Sequence, residues 1–350
     1  MKLTNITLID YVIHQKFCNF RCQYCIAENS SKEDERLRER IKYTDGCEID
    51  LRLSAIENYV KADILQISGG ELFLIQNIDE FILKNAHKYK KLIVITNGSL
   101  LNEKLISEFS KYRNIVFGIS LDGHTLDMNI YRFKSVRWLN KIWENMKLLK
   151  KYDVSFFINT VLHNKNGEHL KDFYSVVSEN FCNVPILPII LRGNNKDNYL
   201  FHKDKAKLLY EIGHDEEMIK TGTVVPQYFD LLYDMIKNPS KKLTCYISQI
   251  AIELLHDGDI YCCPLYWVRL IGNVKKDNEN KIKEQIESDR VYKLMFSKSS
   301  KLECCKGCLS HYDIINLFLN GKICREDYEK IPIFNNTEIT DRLLKVKETI

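Results

Sequence analysis

The segment Cys18-Asn-Phe-Arg-Cys22-Gln-Tyr-Cys25 gathers three thiols at a Cys-x3-Cys-x2-Cys spacing, with no fourth cysteine nearby. Three thiolates on one loop can hold three irons of a cubane 4Fe-4S cluster, whose complete protein ligation takes four. One iron is then left open. Catalytic metal sites keep such a position and structural ones close it, so the missing ligand points to chemistry. The bland alternative is a zinc site built from Cys22 and Cys25 with remote partners.

A second set lies far along the chain. Seventeen residues separate Cys245 from Cys263, Gly258 precedes Cys263 by five positions, and Cys305-x2-Cys308 follows a charged tract. Four thiolates are a complete set. They suit an auxiliary 4Fe-4S cluster with no open iron or a structural zinc, and spacing alone does not separate the two. Five cysteines remain, Cys47, Cys182, Cys262, Cys304 and Cys324, and the plain expectation for each is a small buried apolar residue, Cys182 beside Phe181 above all.

The rest of the composition narrows the class. Twelve cysteines in 350 residues are too few for a disulfide scaffold. No apolar run approaches the roughly 18 to 20 residues of a membrane span. Asn5 and Asp10 spoil the N-terminus as a signal peptide, so the expected location is the cytoplasm, where thiols stay reduced. Fifty-one basic against 47 acidic residues give a net charge of +4, which is no footprint of a nucleic-acid binder. No His-Glu-x-x-His pattern and no phosphate-binding P-loop occurs.

Something must position these cysteines. Short β-branched runs at Ile6–Ile13, Asp63–Ser68, Leu92–Thr96, Ile115–Leu121, Val154–Val161 and Val184–Leu191 read as buried strands. Between them lie amphipathic patterns, such as Leu100, Leu101, Leu105, Ile106 and Phe109, or Trp138, Leu139, Ile142, Trp143, Met146 and Leu149. Strand then helix, six times, implies an α/β fold with a parallel sheet and right-handed crossovers, expected here as a partial TIM-like (βα)6 barrel. Loops after parallel strands open on one rim, where active sites are built. The strand ends are polar and glycine-rich: Ser68-Gly69-Gly70-Glu71, Thr96-Asn97-Gly98, Ser120-Leu121-Asp122-Gly123, Asn159-Thr160 and Leu191-Arg192-Gly193. Paired glycines let backbone approach a ligand, Glu71 can accept from an amine, and Ser120 and Asp122 can bond ribose hydroxyls. Each alone is weak, because Gly-Gly or Asn-Gly after a strand is usually just a turn.

Taken together, the three-cysteine motif and Gly69-Gly70-Glu71 make the segment Thr7 to Arg192 resemble the radical S-adenosylmethionine (radical SAM) enzymes. The resemblance implies that Cys18, Cys22 and Cys25 ligate a 4Fe-4S cluster whose open iron is chelated by S-adenosylmethionine. It implies that Tyr24 packs near adenine, that Gly69, Gly70 and Glu71 meet the methionine amino group, and that Asn97, Ser120, Asp122, Arg132 and Asn159 complete the pocket. The implied reaction is reductive cleavage of the cofactor to a 5′-deoxyadenosyl radical, which abstracts a substrate hydrogen atom. The electron comes from an external flavodoxin- or ferredoxin-like reductant.

After residue 192 the strand–helix alternation stops, helical patterns follow around 203–218 and 227–237, and a second unit holds seven of the twelve cysteines. The expected division is a core over 1–192, a connecting helical segment over 193–240 and a cysteine-bearing domain over 241–350. Cys-x12-Gly-x4-Cys followed by Cys-x2-Cys resembles the SPASM or twitch extension of that family, and His256-Asp257-Gly258-Asp259-Ile260-Tyr261-Cys262-Cys263 its β-hairpin. By that resemblance Cys245, Cys263, Cys305 and Cys308 hold one auxiliary 4Fe-4S cluster. Cys262 is then the candidate thiol hydrogen-atom donor, and Cys324 is an alternative ligand. The charged tracts Ser31–Arg40 and Lys275–Arg290 read as solvated faces.

Enzymes with such extensions mostly cross-link or epimerise ribosomally made peptides. A minority oxidise small molecules such as amino-sugar alcohols, with the auxiliary cluster as electron acceptor, or mature sulfatases. A peptide is the leading expectation for the substrate. Only 17 residues precede Cys18, too few for a leader-recognition domain, so that role is expected of a separate protein or of the 192–245 region. A non-enzymatic iron–sulfur or zinc protein is disfavoured by Gly69-Gly70-Glu71.

Overall fold

Apolar runs without alternation suit strands that are covered on both faces, as in a parallel sheet wrapped by helices. The computed structural model describes residues 6–14, 17–25, 46–58, 60–191, 199–239, 243–263, 270–287, 305 and 308–349. All six expected strands are present: β1 (Leu8–Val12), β2 (Ile64–Ser68), β3 (Lys91–Thr96), β4 (Ile115–Ser120), β5 (Ser155–Leu162) and β6 (Ile186–Ile190). They pair in parallel in the spatial order β6-β5-β4-β3-β2-β1. Helices occupy the connections. Val136–Lys151 is capped by the Ser135 hydroxyl on the Arg137 amide, buries Leu139, Ile142, Met146 and Leu149 along one stripe, and ends on Lys150 and Lys151, which suit the negative end of the helix dipole.

The sheet curls. His311 hydrogen-bonds Gln66 of β2 at 2.7 Å and packs against the Phe157 ring of β5 at 5.5 Å, so strands three places apart face one side chain. The register puts Asp10 opposite Gln66, Gln66 opposite Ile93, Ile95 opposite Gly118 and Gly118 opposite Phe157, which makes these the concave side. Gly118 is required there. A methyl group on it would stand 2.5 Å from Ile95 Cδ1 and 2.7 Å from Phe157 Cζ. Gly118→Ala is expected to destabilise the protein by about 1–3 kcal/mol through overpacking, read as a lower denaturation midpoint.

Beyond residue 192 the helical patterns appear as Ala206–Gly213, Glu216–Lys220 and Pro226–Lys237. The hairpin is also present, as β7 (Ala251–Leu255) and β8 (Asp259–Tyr261), turning at Gly258 with φ +94, and β9 (Leu270–Asn273) follows. The expected boundary at 241 is not a break in the sheet. β7 pairs in parallel with β1, from Leu8↔Ala251 to Val12↔Leu255, so the cysteine-bearing unit continues the barrel wall in one nine-stranded sheet.

The C-terminal segment closes the other end. Arg342 bonds the Asp63 carboxylate at 2.8 Å and the Ile6 carbonyl at 2.9 Å, and Lys91 reaches the Pro332 carbonyl at 3.3 Å. The helix Asp313–Leu319 is buried on every side. Of the charged tracts, the helix Glu279–Glu287 carries part of the second as expected, and Ser31–Arg40 lies outside the described residues. Among the described residues no helix is long and apolar enough to cross a membrane.

Candidate active site: a three-thiol loop on the barrel rim

The Cys18–Cys25 loop leaves β1 at the rim and is pinned to the ends of three neighbouring strands. On the β2 side, the Gly70 amide donates to the His14 carbonyl at 3.0 Å and the Glu71 amide to the Phe17 carbonyl at 2.8 Å. From β3, Asn97 Nδ2 donates to Asn19 Oδ1 at 2.8 Å and lies 3.9 Å from Cys18 Sγ. From the segment after β4, the Tyr131 carbonyl accepts from the Gln23 amide at 2.8 Å, and the Arg132 carbonyl lies 3.9 Å from Cys22 Sγ. Phe20 packs under the loop against Phe133 and Trp138.

Burial pushes the Cys18 thiol up to about 11 and the Cys22 thiol up to about 12. Such thiols keep their protons until a metal ion displaces them, since a coordinating thiol is deprotonated outright. Among the described residues no group of three His, Cys, Asp or Glu side chains converges on a single ion. A cubane asks something else of its ligands, one thiolate at each of three separate iron corners.

The glycine pair is steric. A methyl group on Gly69 would stand 2.5 Å from the His14 carbonyl oxygen, and one on Gly70 would stand 2.2 Å from that of Phe17. Both residues are therefore needed where β2 meets the lead-in to the cysteine loop.

Two carboxylates of the sequence reading have several partners within the protein. Glu71, expected at the methionine amine, is wholly buried and accepts from Thr96 Oγ1 at 2.7 Å, the Asn97 amide at 2.8 Å and the Phe73 amide at 3.2 Å. Its hydrogen bonds lock β2 to β3. Asp122, expected at the ribose, is also wholly buried and accepts from Tyr24 Oη, from Arg132 Nη2 at 2.9 Å and from the Val161 amide at 2.9 Å, with His163 Nε2 at 3.4 Å. The Tyr24 ring, expected beside adenine, lies under Arg132 at 5.5 Å and packs with Val161 and Leu191. These groups anchor the loop to β4 and β5.

Burial alone would raise the Asp122 carboxyl, but the Arg132 guanidinium and His163 outweigh it and hold the group below the usual carboxylate range. A depressed folded-state value stabilises the fold at pH above the unfolded value, near 3.9, and that contribution is lost as pH falls through the folded value. Asp122→Asn should abolish this acid-limb dependence in a pH series of unfolding midpoints. It should also weaken iron retention by about 10–100-fold, as loss of a residue that orients a ligand loop does.

Among the buried polar atoms without a partner are Arg132 Nε and Asn159 Oδ1. An unfilled donor and an unfilled acceptor fit a ligand carrying a carboxylate and hydroxyl or amino groups, as S-adenosylmethionine does. Ser120 is half-buried and lies in register with Asn159 across β4 and β5.

Cys245 and Cys263 of the second set lie at the opposite end of the strands. β8 runs antiparallel to β7, so Cys262 and Cys263, both buried, fall beside the start of β7, which Cys245 also precedes. The Cys308 amide donates to the Cys305 carbonyl at 3.2 Å. Asn316 ties the segments together: it accepts from the Tyr246 amide at 2.8 Å, donates to Asp313 at 2.8 Å and lies 3.7 Å from Cys245 Sγ, while Asp313 accepts from the Ser310 amide at 3.0 Å.

The remaining cysteines divide. Cys182 is exposed, not buried, because the turn after the helix Leu170–Asn180 points it outward while Phe181 takes the core position. Cys324 is exposed at the start of the helix Arg325–Lys330, with its thiol 3.2 Å from Asp327. Cys47 falls in the helix Gly46–Glu57, and Cys304 lies outside the described residues.

Sequence reading missed a polar network inside the barrel. Tyr312 Oη and Gln66 Nε2 both donate to Asp10 Oδ2, at 2.7 Å and 3.0 Å. With its amide nitrogen spent on a carboxylate, Gln66 offers Oε1 to His311 Nε2, which must therefore carry the proton of that 2.7 Å bond. The signal was available: an aspartate in Leu-Ile-Asp-Tyr-Val and a glutamine in Ile-Leu-Gln-Ile-Ser are polar residues in the middle of buried strands. Tyr312→Phe withdraws one donor from a buried carboxylate and should cost about 1.5–3 kcal/mol in equilibrium unfolding.

A parallel partial barrel with a three-thiol loop on its rim suits an iron–sulfur enzyme of the S-adenosylmethionine-cleaving type. The chain carries a radical SAM domain: residues 12–177 match the radical SAM superfamily model. It is 26% identical over 322 residues to the cysteine-type anaerobic sulfatase-maturating enzyme of Clostridium perfringens, covering 83% of each chain. The solved structure of native anSMEcpe with bound AdoMet superposes with a TM-score of 0.59 at 21% identity, covering 98% of this chain and 99% of that one. Streptococcus suis SuiB bound to the precursor peptide SuiA superposes with a TM-score of 0.62 at 14% identity, covering 90% of this chain and 74% of that one. A radical SAM domain works with a 4Fe-4S cluster and S-adenosylmethionine, and its relatives of SPASM type carry auxiliary 4Fe-4S clusters as well.

Proposed function

We propose that this protein modifies a peptide, by cross-linking or epimerisation, through abstraction of a substrate hydrogen atom. The observation that carries this reading is similarity along 83% of the chain to a maturase that acts on a sulfatase, joined by the fold shared with SuiB, which is seen with its precursor peptide. When bound, the rim cluster and S-adenosylmethionine supply the radical that takes the hydrogen atom.

The chain's own residues do the placing. Cys18, Cys22 and Cys25 hold the rim cluster and leave one iron open to the cofactor. Arg132 Nε offers a donor to the cofactor carboxylate and Asn159 Oδ1 an acceptor to its hydroxyl or amino groups, while Glu71, Tyr24 and Asp122 keep the loop from shifting. Cys245, Cys263, Cys305 and Cys308 hold an auxiliary cluster at the far end of the lumen. Cys262, buried beside them, is the thiol placed to return a hydrogen atom. In this reading residues 1–192 form the core, 193–240 connect, and 241–350 carry the auxiliary cluster.

The test is incubation of the reduced enzyme with S-adenosylmethionine and peptides encoded beside its gene. The expected result is 5′-deoxyadenosine together with a peptide mass change of zero for epimerisation or about −2 Da for a cross-link, two hydrogens being lost. Cofactor cleavage with no modified peptide, alongside label transfer to 5′-deoxyadenosine from a deuterated amino-sugar alcohol, would replace this reading with small-molecule oxidation.

A further inference from the structure

One buried group at the rim is used by none of the roles above. His14 stands two residues past the end of β1, is wholly buried, and its Nε2 has no hydrogen-bond partner. The Gly70 amide, which donates to the His14 carbonyl at 3.0 Å, also lies 3.3 Å from the ring's Nδ1, and this shared N–H favours the neutral tautomer with its proton on Nε2. Burial, against a smaller opposing contribution from the Glu71 backbone, lowers the imidazole to about 4. At neutral pH the ring therefore brings a fixed donor and no charge. A buried donor left unsatisfied is costly, which makes a missing acceptor the natural explanation.

The position says which acceptor. The His14 ring lies against Gly70, whose hypothetical methyl group would stand 2.8 Å from His14 Cε1. Gly69-Gly70-Glu71 is the motif assigned by resemblance to the methionine amino group. In S-adenosylmethionine the carboxylate is bonded to the same carbon as that amine, so a group resting on this motif has the carboxylate as its nearest anionic acceptor. A carboxylate can only accept, and the Nε2–H can only donate.

We propose that His14 binds S-adenosylmethionine directly, its Nε2–H donating to the methionine carboxylate. The assignment rests on the cofactor and not on the nature of the substrate, so it stands or falls separately from the peptide reading.

The test is a binding cycle on the anaerobically reconstituted enzyme. Dissociation constants are measured for S-adenosylmethionine and for its decarboxylated analogue, in wild type, His14→Phe and His14→Gln, with iron content recorded for each. Phenylalanine keeps the ring and removes the donor, whereas glutamine restores an N–H near the Nε2 position. His14→Phe should weaken S-adenosylmethionine about ten-fold or more while changing the decarboxylated analogue by less than about two-fold, and His14→Gln should recover most of the loss. Equal weakening of both ligands, no weakening of either, or equal loss in the two variants would overturn the assignment. Should His14→Phe fail to load iron, the same cycle is read in His14→Ala against the same outcomes.

Discussion

Cys22→Ala protein should form no 5′-deoxyadenosine above background when reduced in the presence of S-adenosylmethionine, with or without a peptide. Cys22 is the middle of the three proposed ligands on the rim loop, and burial pushes its thiol up to about 12. Removing it leaves two thiols for three iron corners, and a cluster so held loses the iron that the cofactor must chelate. The loop itself should persist. Its anchors, Tyr24 on Asp122, Gln23 on Tyr131 and Asn19 on Asn97, do not pass through Cys22. Loss of cleavage with a near wild-type unfolding midpoint therefore identifies chemistry and not collapse. Retained cleavage would remove Cys22 from the ligand set.

Cys308→Ala should behave in the opposite way, continuing to cleave some S-adenosylmethionine while giving no modified peptide. Cys308 is buried and leads into Ser310–Tyr312, which reaches the lumen at Asp10 and Gln66. Its loss leaves the three rim thiols untouched, so the first half of the reaction survives uncoupled. The readout is the ratio of 5′-deoxyadenosine to modified peptide, which should rise without limit in the variant. Equal total loss in Cys22→Ala and Cys308→Ala would mean that the second set is needed for folding, as structural metal sites often are.

The barrel was legible because its signals are local. Six β-branched runs, each followed by a three- and four-residue apolar repeat, specify a strand and helix from their own residues, and the six strands fall within about two residues of their expected ends. The pairing of β7 with β1 joins residues more than 240 apart, and no periodicity within either strand announces it. For the site, spacing located the cysteines and the rim residues but not the direction of their side chains. Glu71, from its glycine-pair motif, and Asp122, from its place after β4, are expected at the cofactor. Both turn inward, where backbone amides and Tyr24 or Thr96 satisfy them, and leave Arg132 and Asn159 with open atoms. Asp10 and Gln66 were passed over because a polar residue within an apolar strand reads as interruption, when in a curled sheet it faces the lumen.

Iron and sulfide content after anaerobic reconstitution tests the central claim, that one chain holds an open cluster on the rim and a closed one at the far end. The account predicts about eight irons and about eight acid-labile sulfides per chain, falling to about four of each when Cys245, Cys263, Cys305 and Cys308 are replaced together. About four irons in the wild type, unchanged by that replacement, or one zinc released with it, would contradict the claim.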